Sequence, residues 1–184
     1  MNQLEIKVKA AEIRDIPEMV AINAAHLMAN KSEKSRLNQS GFLIVKLTAD
    51  DVERMILDEE NFVVLVLKKK EEVLGYLIAC TIANTENFFQ EALAKIPELQ
   101  NSQTKPFYYK QIAKKIGEAG VGKSLLLALE NEARKRGYSH LVCRIVHQPI
   151  LNEASISFHQ KSGFKLVSTF SEEQITAGIY LKAL

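Results

Sequence analysis

The chain has 184 residues, 47% of them hydrophobic and 25% charged, with a formal net charge of +2. A length of this kind fits one domain, and a domain of this size buries about 70% of its unfolded surface without metal or disulfide staples. The near-balanced charge argues against a surface that coats nucleic acid, and no apolar run approaches a membrane span. Met1-Asn2-Gln3-Leu4-Glu5 lacks the basic-then-apolar form of a signal peptide. Cys80 and Cys143 both fall in apolar, strand-like runs and read as buried reduced thiols, which fits a cytoplasmic protein. No His/Cys/Asp/Glu group has metal-ligand spacing, so no metal is expected.

Residues 4–11 alternate well enough for a first strand. Asp15-Ile16-Pro17-Glu18 reads as a helix start, with Asp15 as cap and Pro17 in the first turn, and Ile16, Met19, Val20, Ile22 and Leu27 follow at helical spacing. Residues 30–41 are polar and read as a loop. Thr48-Ala49-Asp50-Asp51 has the form of a capping box and opens a short helix through Leu57. Two apolar runs, 62–67 and 73–82, flank a charged turn and form the clearest hairpin in the chain. Residues 86–106 break the strand pattern. Phe88, Phe89, Leu93, Ile96 and Leu99 recur there at helical intervals, which suggests an inserted helical arm. A strand over 107–113 leads into a glycine-rich loop, then a helix over 124–136 stopped by Gly137. After a strand over 141–146, Asn152 caps a helix that ends near Ser162 with Gly163 as its stop, and strands over 164–170 and 175–181 follow. The sum is a mixed α/β sheet of about seven strands with helices packed on it.

Gly117-Glu118-Ala119-Gly120-Val121-Gly122-Lys123-Ser124 matches the P-loop pattern G-x-x-x-x-G-K-[ST] letter for letter. Three glycines in six positions let backbone N–H groups turn toward an anion, and a helix N-terminus adds partial positive charge. A nucleoside triphosphatase loop, however, follows a buried parallel strand that reads as an unbroken apolar run. Here Lys110-Gln111-Ile112-Ala113-Lys114-Lys115-Ile116 precedes the loop. The last aspartate of the chain is Asp58, so no later Asp can hold magnesium, and about 60 residues follow Ser124. A P-loop nucleotide-binding protein is therefore the remote alternative.

Gly120-Val121-Gly122 opening a leucine-rich helix is also similar to the pyrophosphate loop of the GNAT acyl-CoA N-acyltransferase superfamily. Asn152-Glu153-Ala154-Ser155-Ile156-Ser157-Phe158-His159-Gln160-Lys161-Ser162-Gly163-Phe164 resembles that superfamily's N-x-x-[AS]-I-x-[LF]-[YH]-x-x-x-G-F signature. The two segments stand in the right order, separated by one strand, and only residues 86–106 have no counterpart. One departure is Gly117, where the superfamily loop, [QR]-x-x-G-x-[GA], usually begins with Gln or Arg.

The resemblance implies one GNAT-like domain over 1–184, its sheet splayed in the middle with helices on both faces. It implies acetyl-CoA as the acyl donor, with pantetheine lying along the strand at Gln111, Ile112, Ala113 and Lys114 and the thioester carbonyl meeting a backbone N–H. Amides from Glu118, Ala119, Gly120, Val121, Gly122, Lys123 and Ser124 would take the pyrophosphate. Lys123 either adds charge there or is an exposed first-turn lysine. Ser155 falls on the cofactor side. Asn152 either bonds the pantetheine arm or is an ordinary helix cap, and Phe158 reads more readily as core than as a contact. His159 stands where many members carry a tyrosine that protonates the departing thiolate. A histidine's ordinary pKa near 6.5 suits that task, and a packing histidine is the other reading. Tyr138, Tyr108 and Tyr109 are the reserve acids, and Glu86, Tyr109 and His147 are candidate bases.

The acceptor side is expected in residues 30–41 and 86–106, with Phe88, Phe89 and Phe107 lining the cleft or anchoring the arm. The implied function is transfer of acetyl from acetyl-CoA to a primary amine of a small molecule or of a protein or peptide. Its rival is an acyl-CoA-binding module without catalysis. The expected partner is the amine acceptor, with no nucleic acid and no membrane. A homodimer formed through Ile179 and Leu181 is compatible with either reading.

Overall fold

A computed structural model describes residues 6–30 and 41–184 of the chain. Seven strands form one sheet: β1 (Ile6–Ala10), β2 (Phe62–Lys69), β3 (Glu72–Thr81), β4 (Pro106–Lys114), β5 (His140–Gln148), β6 (Lys165–Glu172) and β7 (Ile175–Ala183). Their spatial order is β1-β2-β3-β4-β5-β7-β6, and every neighbouring pair is antiparallel except β4 and β5. Five α-helices accompany them among the described residues: α1 (Ile16–His26), α2 (Ala49–Leu57), α3 (Asn87–Leu93), α4 (Val121–Lys135) and α5 (Glu153–Lys161).

Strand β2 runs past the apolar stretch to Lys69 because Lys68 turns inward. Its Nζ donates to Asp15 Oδ1 at 2.7 Å, with both side chains almost fully buried. That pairing also changes the expected role of Asp15. The second Asp15 oxygen accepts the Glu12 N–H at 3.0 Å, and no side-chain bond from Asp15 caps α1. Thr48 does cap α2, accepting the Asp51 N–H at 3.1 Å. Helix α4 begins at Val121, three residues earlier than its leucines suggest, because Gly120 takes the cap position in the left-handed region with φ 74°.

The helices divide between the two faces of the sheet, and each face has its own core. Met19, Val52, Tyr76, Phe89 and Tyr108 belong to the core under α1, α2 and α3. Leu125, Leu129, Phe107, Tyr109 and Phe164 belong to the core under α4 and α5. The arm over 86–106 holds one short α-helix and a 3₁₀ turn, and Phe89, Leu93 and Ile96 bury it on the sheet. Phe89 packs against Tyr108 with ring centroids 4.9 Å apart, and Phe107 stacks on Tyr138 at 4.4 Å, so both rings anchor elements and line no cleft. Ile179 and Leu181 are buried in the chain's own core, which leaves neither for a subunit interface.

The parallel pair β4–β5 is short. Only Pro106, Phe107 and Tyr108 pair with His140, Leu141 and Val142. Beyond them β4 carries a bulge at Lys110, since Ala79 pairs with Tyr109 and Ile78 with Gln111, and the two strands diverge. The sheet is thus split at its centre.

Candidate active site

A cleft opens where β4 and β5 part, lined by 108–112 of the first strand, 143–146 of the second, the α5 residues Ser155 and His159, and part of β6 and β7. Among the described residues, the β4 edge facing β5 has no strand partner from Tyr109 onward. Segment 42–47 crosses this opening as a strap. Asn152 Nδ2 donates to the Phe42 carbonyl at 3.0 Å, while Gln111 Nε2 and Asn23 Nδ2 donate to the Val45 carbonyl at 3.2 and 3.1 Å. Asn23 Oδ1 accepts the Leu47 N–H at 3.0 Å, and the Tyr76 hydroxyl donates to Gln111 Oε1 at 2.7 Å. One end of the strap is therefore held from the start of α5 and the other from β4. Most of the 30–41 loop expected on the acceptor side lies outside the described residues.

Below the strap, β4 delivers the glycine-rich loop to the start of α4. His26 Nε2 donates to the Lys114 carbonyl at 2.7 Å, and Lys114 Nζ donates to the Glu118 carbonyl, which ties the loop across its own turn. The first N–H groups of a helix have no intrahelical acceptor. At α4 no side chain takes them, and Gly120 leaves the approach to Val121, Gly122 and Lys123 open. Gly75 on β3 makes this position accessible. A Cβ there would lie 2.5 Å from Val121 Cγ1 and 2.7 Å from the Ala113 carbonyl oxygen, so only glycine lets α4 start so close to the sheet. A Gly inside an otherwise apolar strand is the sequence signal for such an approach. Gly122 similarly receives the Phe158 ring, 3.3 Å from where a Cβ would stand.

His159 is 4% exposed, inside the cleft wall. Its Nδ1 lies 2.7 Å from the Ser155 carbonyl, which can only accept, so Nδ1 carries the proton and Nε2 is left as a lone pair. Burial lowers its pKa to about 4, against the opposing effect of that carbonyl. The imidazole is therefore neutral near pH 7 and carries no proton to give from Nε2, unlike a histidine of ordinary pKa.

Tyr109, whose ring centroid is 5.3 Å from that of His159, also lines the cleft, and its buried hydroxyl has no hydrogen-bond partner. Burial pushes this phenol well above its usual range, so it is a donor and not a base. Glu86 does not line the cleft and accepts from Arg144 Nη2 at 3.1 Å. Burial alone would lift its carboxyl, yet its own backbone N–H and the Arg144 guanidinium outweigh this and hold it below the usual range. His147 meets the Tyr180 hydroxyl at 3.0 Å and also stays out of the cleft. Asn152 has both ends of its amide committed, Oδ1 to the Ser155 N–H at 3.4 Å and Nδ2 to the strap.

Two outcomes follow. His159 protonates more readily in the unfolded chain, where its pKa is 6.5, than in the fold, where it is about 4. Stability is thus whole above pH 6.5 and lost as pH falls toward 4, by about 3 kcal/mol; urea unfolding across this window should show the loss, and His159→Gln should flatten it. Asn152→Asp keeps the cap acceptor for Ser155 but removes the donor to Phe42. Amide exchange at Leu43 and Leu47 should accelerate, with stability lower by about 1–3 kcal/mol; unchanged protection of both amides would refute the strap's anchoring.

No protein-family model matches the chain, and no curated protein matches its sequence. Solved structures do match it, over nearly the full length of both partners. The PaiA N-acetyltransferase of Thermoplasma acidophilum in complex with coenzyme A is 16% identical, with 98% of this chain and 99% of that one covered and a TM-score of 0.66. The ribosomal-protein-alanine N-acetyltransferase of Brucella melitensis is 20% identical at the same TM-score, covering 97% and 99%. The yncA putative acetyltransferase of Salmonella typhimurium with its cofactor acetyl-CoA is 18% identical, covering 97% and 94%, with a TM-score of 0.62. From the antiparallel first half through the splayed centre to the last hairpin, this chain has the fold of the GNAT acetyltransferases.

Proposed function

We propose that the chain is an N-acetyltransferase that moves an acetyl group from acetyl-CoA to an amine by direct attack. The observation that carries this reading is the junction of an unpaired β4 edge with an uncapped helix N-terminus at the end of the same strand. An extended amide-bearing arm fits the first, and a pyrophosphate fits the second. Ile112 and Ala113 offer backbone to the arm, and Ala119 and the first residues of α4 offer amides to the phosphates, with Lys123 beside them; the Glu118 N–H already donates to the Lys115 carbonyl at 3.3 Å and the Ser124 N–H to the Gly120 carbonyl at 3.1 Å. The buried, unpartnered Tyr109 hydroxyl also fits a ligand, because a donor in that state costs about 1–3 kcal/mol unless something accepts from it. Acetyl-CoA supplies an activated acyl carbon whose C–S bond breaks as the amine's C–N bond forms.

The chain's own groups then divide the remaining work. Tyr109 donates a hydrogen bond toward the departing sulfur, and the neutral His159 packs the wall beside it and gives no proton. A thiol pKa of about 8.5 lies close enough to neutrality for the sulfur to leave as a thiolate that solvent later protonates. With Glu86 held below its usual range by Arg144 and outside the cleft, the amine gives up its proton to water.

Acetyl-CoA should stabilise the protein in a thermal-shift assay, by about 2.7 kcal/mol at a hundredfold excess over its Kd. Magnesium-ATP alone doing so would overturn the reading in favour of the P-loop alternative. Acetyl-CoA binding without turnover on a broad amine panel would identify an acyl-CoA-binding module instead. Tyr109→Phe removes an unsatisfied donor, so the free protein should be at least as stable as before, while kcat falls about ten- to a hundredfold. Unchanged turnover would remove Tyr109 from the mechanism, and a comparable fall in His159→Phe would restore His159 as proton donor.

A further inference from the structure

Two charged side chains on opposite walls of the cleft make no hydrogen bond or ion pair among the described residues. Lys110 stands at the β4 bulge, half-buried, and its side chain makes no hydrogen bond or ion pair among the described residues. Its charge bears on Asp51, Cys80 and Glu86, which places it on the face of α2 and α3, opposite the α4 loop. Glu172 ends β6 on the other wall, exposed and likewise without an ion pair.

The neighbouring charges are all answered. Arg144 is held by Glu86 at 3.1 Å and lies over the Phe88 and Phe89 rings at 5.7 and 5.6 Å. Asp51 accepts from the Thr48 hydroxyl at 2.6 Å and lies 3.8 Å from Arg54. Asp51 and Glu86 act on Lys110 only at a distance, since each is held by a closer partner, so no direct ion pair occupies this lysine among the described residues. Alternation from Tyr108, which lies in the core under α1, α2 and α3, carries Lys110 to that same face, and the bulge lets Gln111 follow it there.

We propose that the acceptor is an amine that also bears an acidic group, with Lys110 taking the acid and Glu172 facing the ammonium end. This rests on the acetyl-transfer reading and narrows it to zwitterionic acceptors, against polyamines. Both charges lie on the face away from the anion loop, so an acceptor reaches the cleft from the side that the acyl donor does not use. An amine with a carboxylate beside it satisfies both walls. A polyamine would place a second cation against Lys110.

The test is a calorimetric titration of the protein with CoA bound, using already acetylated probes so that no turnover is needed. N-acetylaspartate is compared with its diamide, acetyl-Ala-Asp-amide with acetyl-Ala-Asn-amide, and N1-acetylspermidine stands as the polyamine. At least one acid should bind about tenfold or more tightly than its amide partner, and which pair shows the preference separates a free amino acid from a peptide terminus. Lys110→Met should abolish that preference while leaving the amide probe and CoA affinity unchanged. Equal binding within both pairs, tighter binding of the polyamine, no binding of any probe, or a preference that survives Lys110→Met would each overturn the proposal. Failure of the acetyl-transfer reading would show separately, as loss of CoA binding or absence of turnover with the free amines.

Discussion

The site depends on one constraint: β4 and β5 pair through three residues and then separate. A continuous sheet would satisfy the β4 edge with its neighbour and leave no room at the centre. The separation leaves backbone groups unpaired deep in the molecule, and it persists because each strand is secured from its other side. β4 pairs along its length with β3, and β5 pairs along its length with β7. The bulge at Lys110 adds local twist to β4 where the parting begins.

Around that opening, side chains that look available for chemistry are occupied in holding the opening's shape. Gln111 and Asn23 anchor the strap, Asn152 holds its other end, and His26 ties the last carbonyl of β4. Their amides and imidazole are spent on backbone groups that would otherwise be buried and unsatisfied. What is left open is backbone along β4 and at the start of α4, while the Tyr109 hydroxyl lies buried in the cleft wall without a hydrogen-bond partner.

Local signals were legible wherever one residue decides a backbone state. Gly137 and Gly163 adopt the left-handed conformation that their positions at helix ends suggested. Thr48 and Asn152 accept the bonds that their places before acidic or small residues implied. The seven strands and the order of the two motifs were also readable, because strand runs here are apolar and separated by turn residues. The inward turn of Lys68 was not, since a lysine in a charged turn gives no sign of the buried Asp15 that receives it 53 positions away in sequence.

Sequence by itself determined the order of elements, the glycine-rich loop at a helix start, and the two segments that resemble the GNAT pattern. These depend on contacts between near neighbours in the chain, where spacing is geometry. Only the tertiary structure decided the electrostatics of the site. His159 is neutral because the cleft wall buries it, Glu86 is held low by its own backbone N–H and by an arginine 58 positions away, and the buried Tyr109 hydroxyl has no acceptor within hydrogen-bonding reach. Protonation follows burial and distant partners, and neither is written in the spacing of residues along one strand or helix.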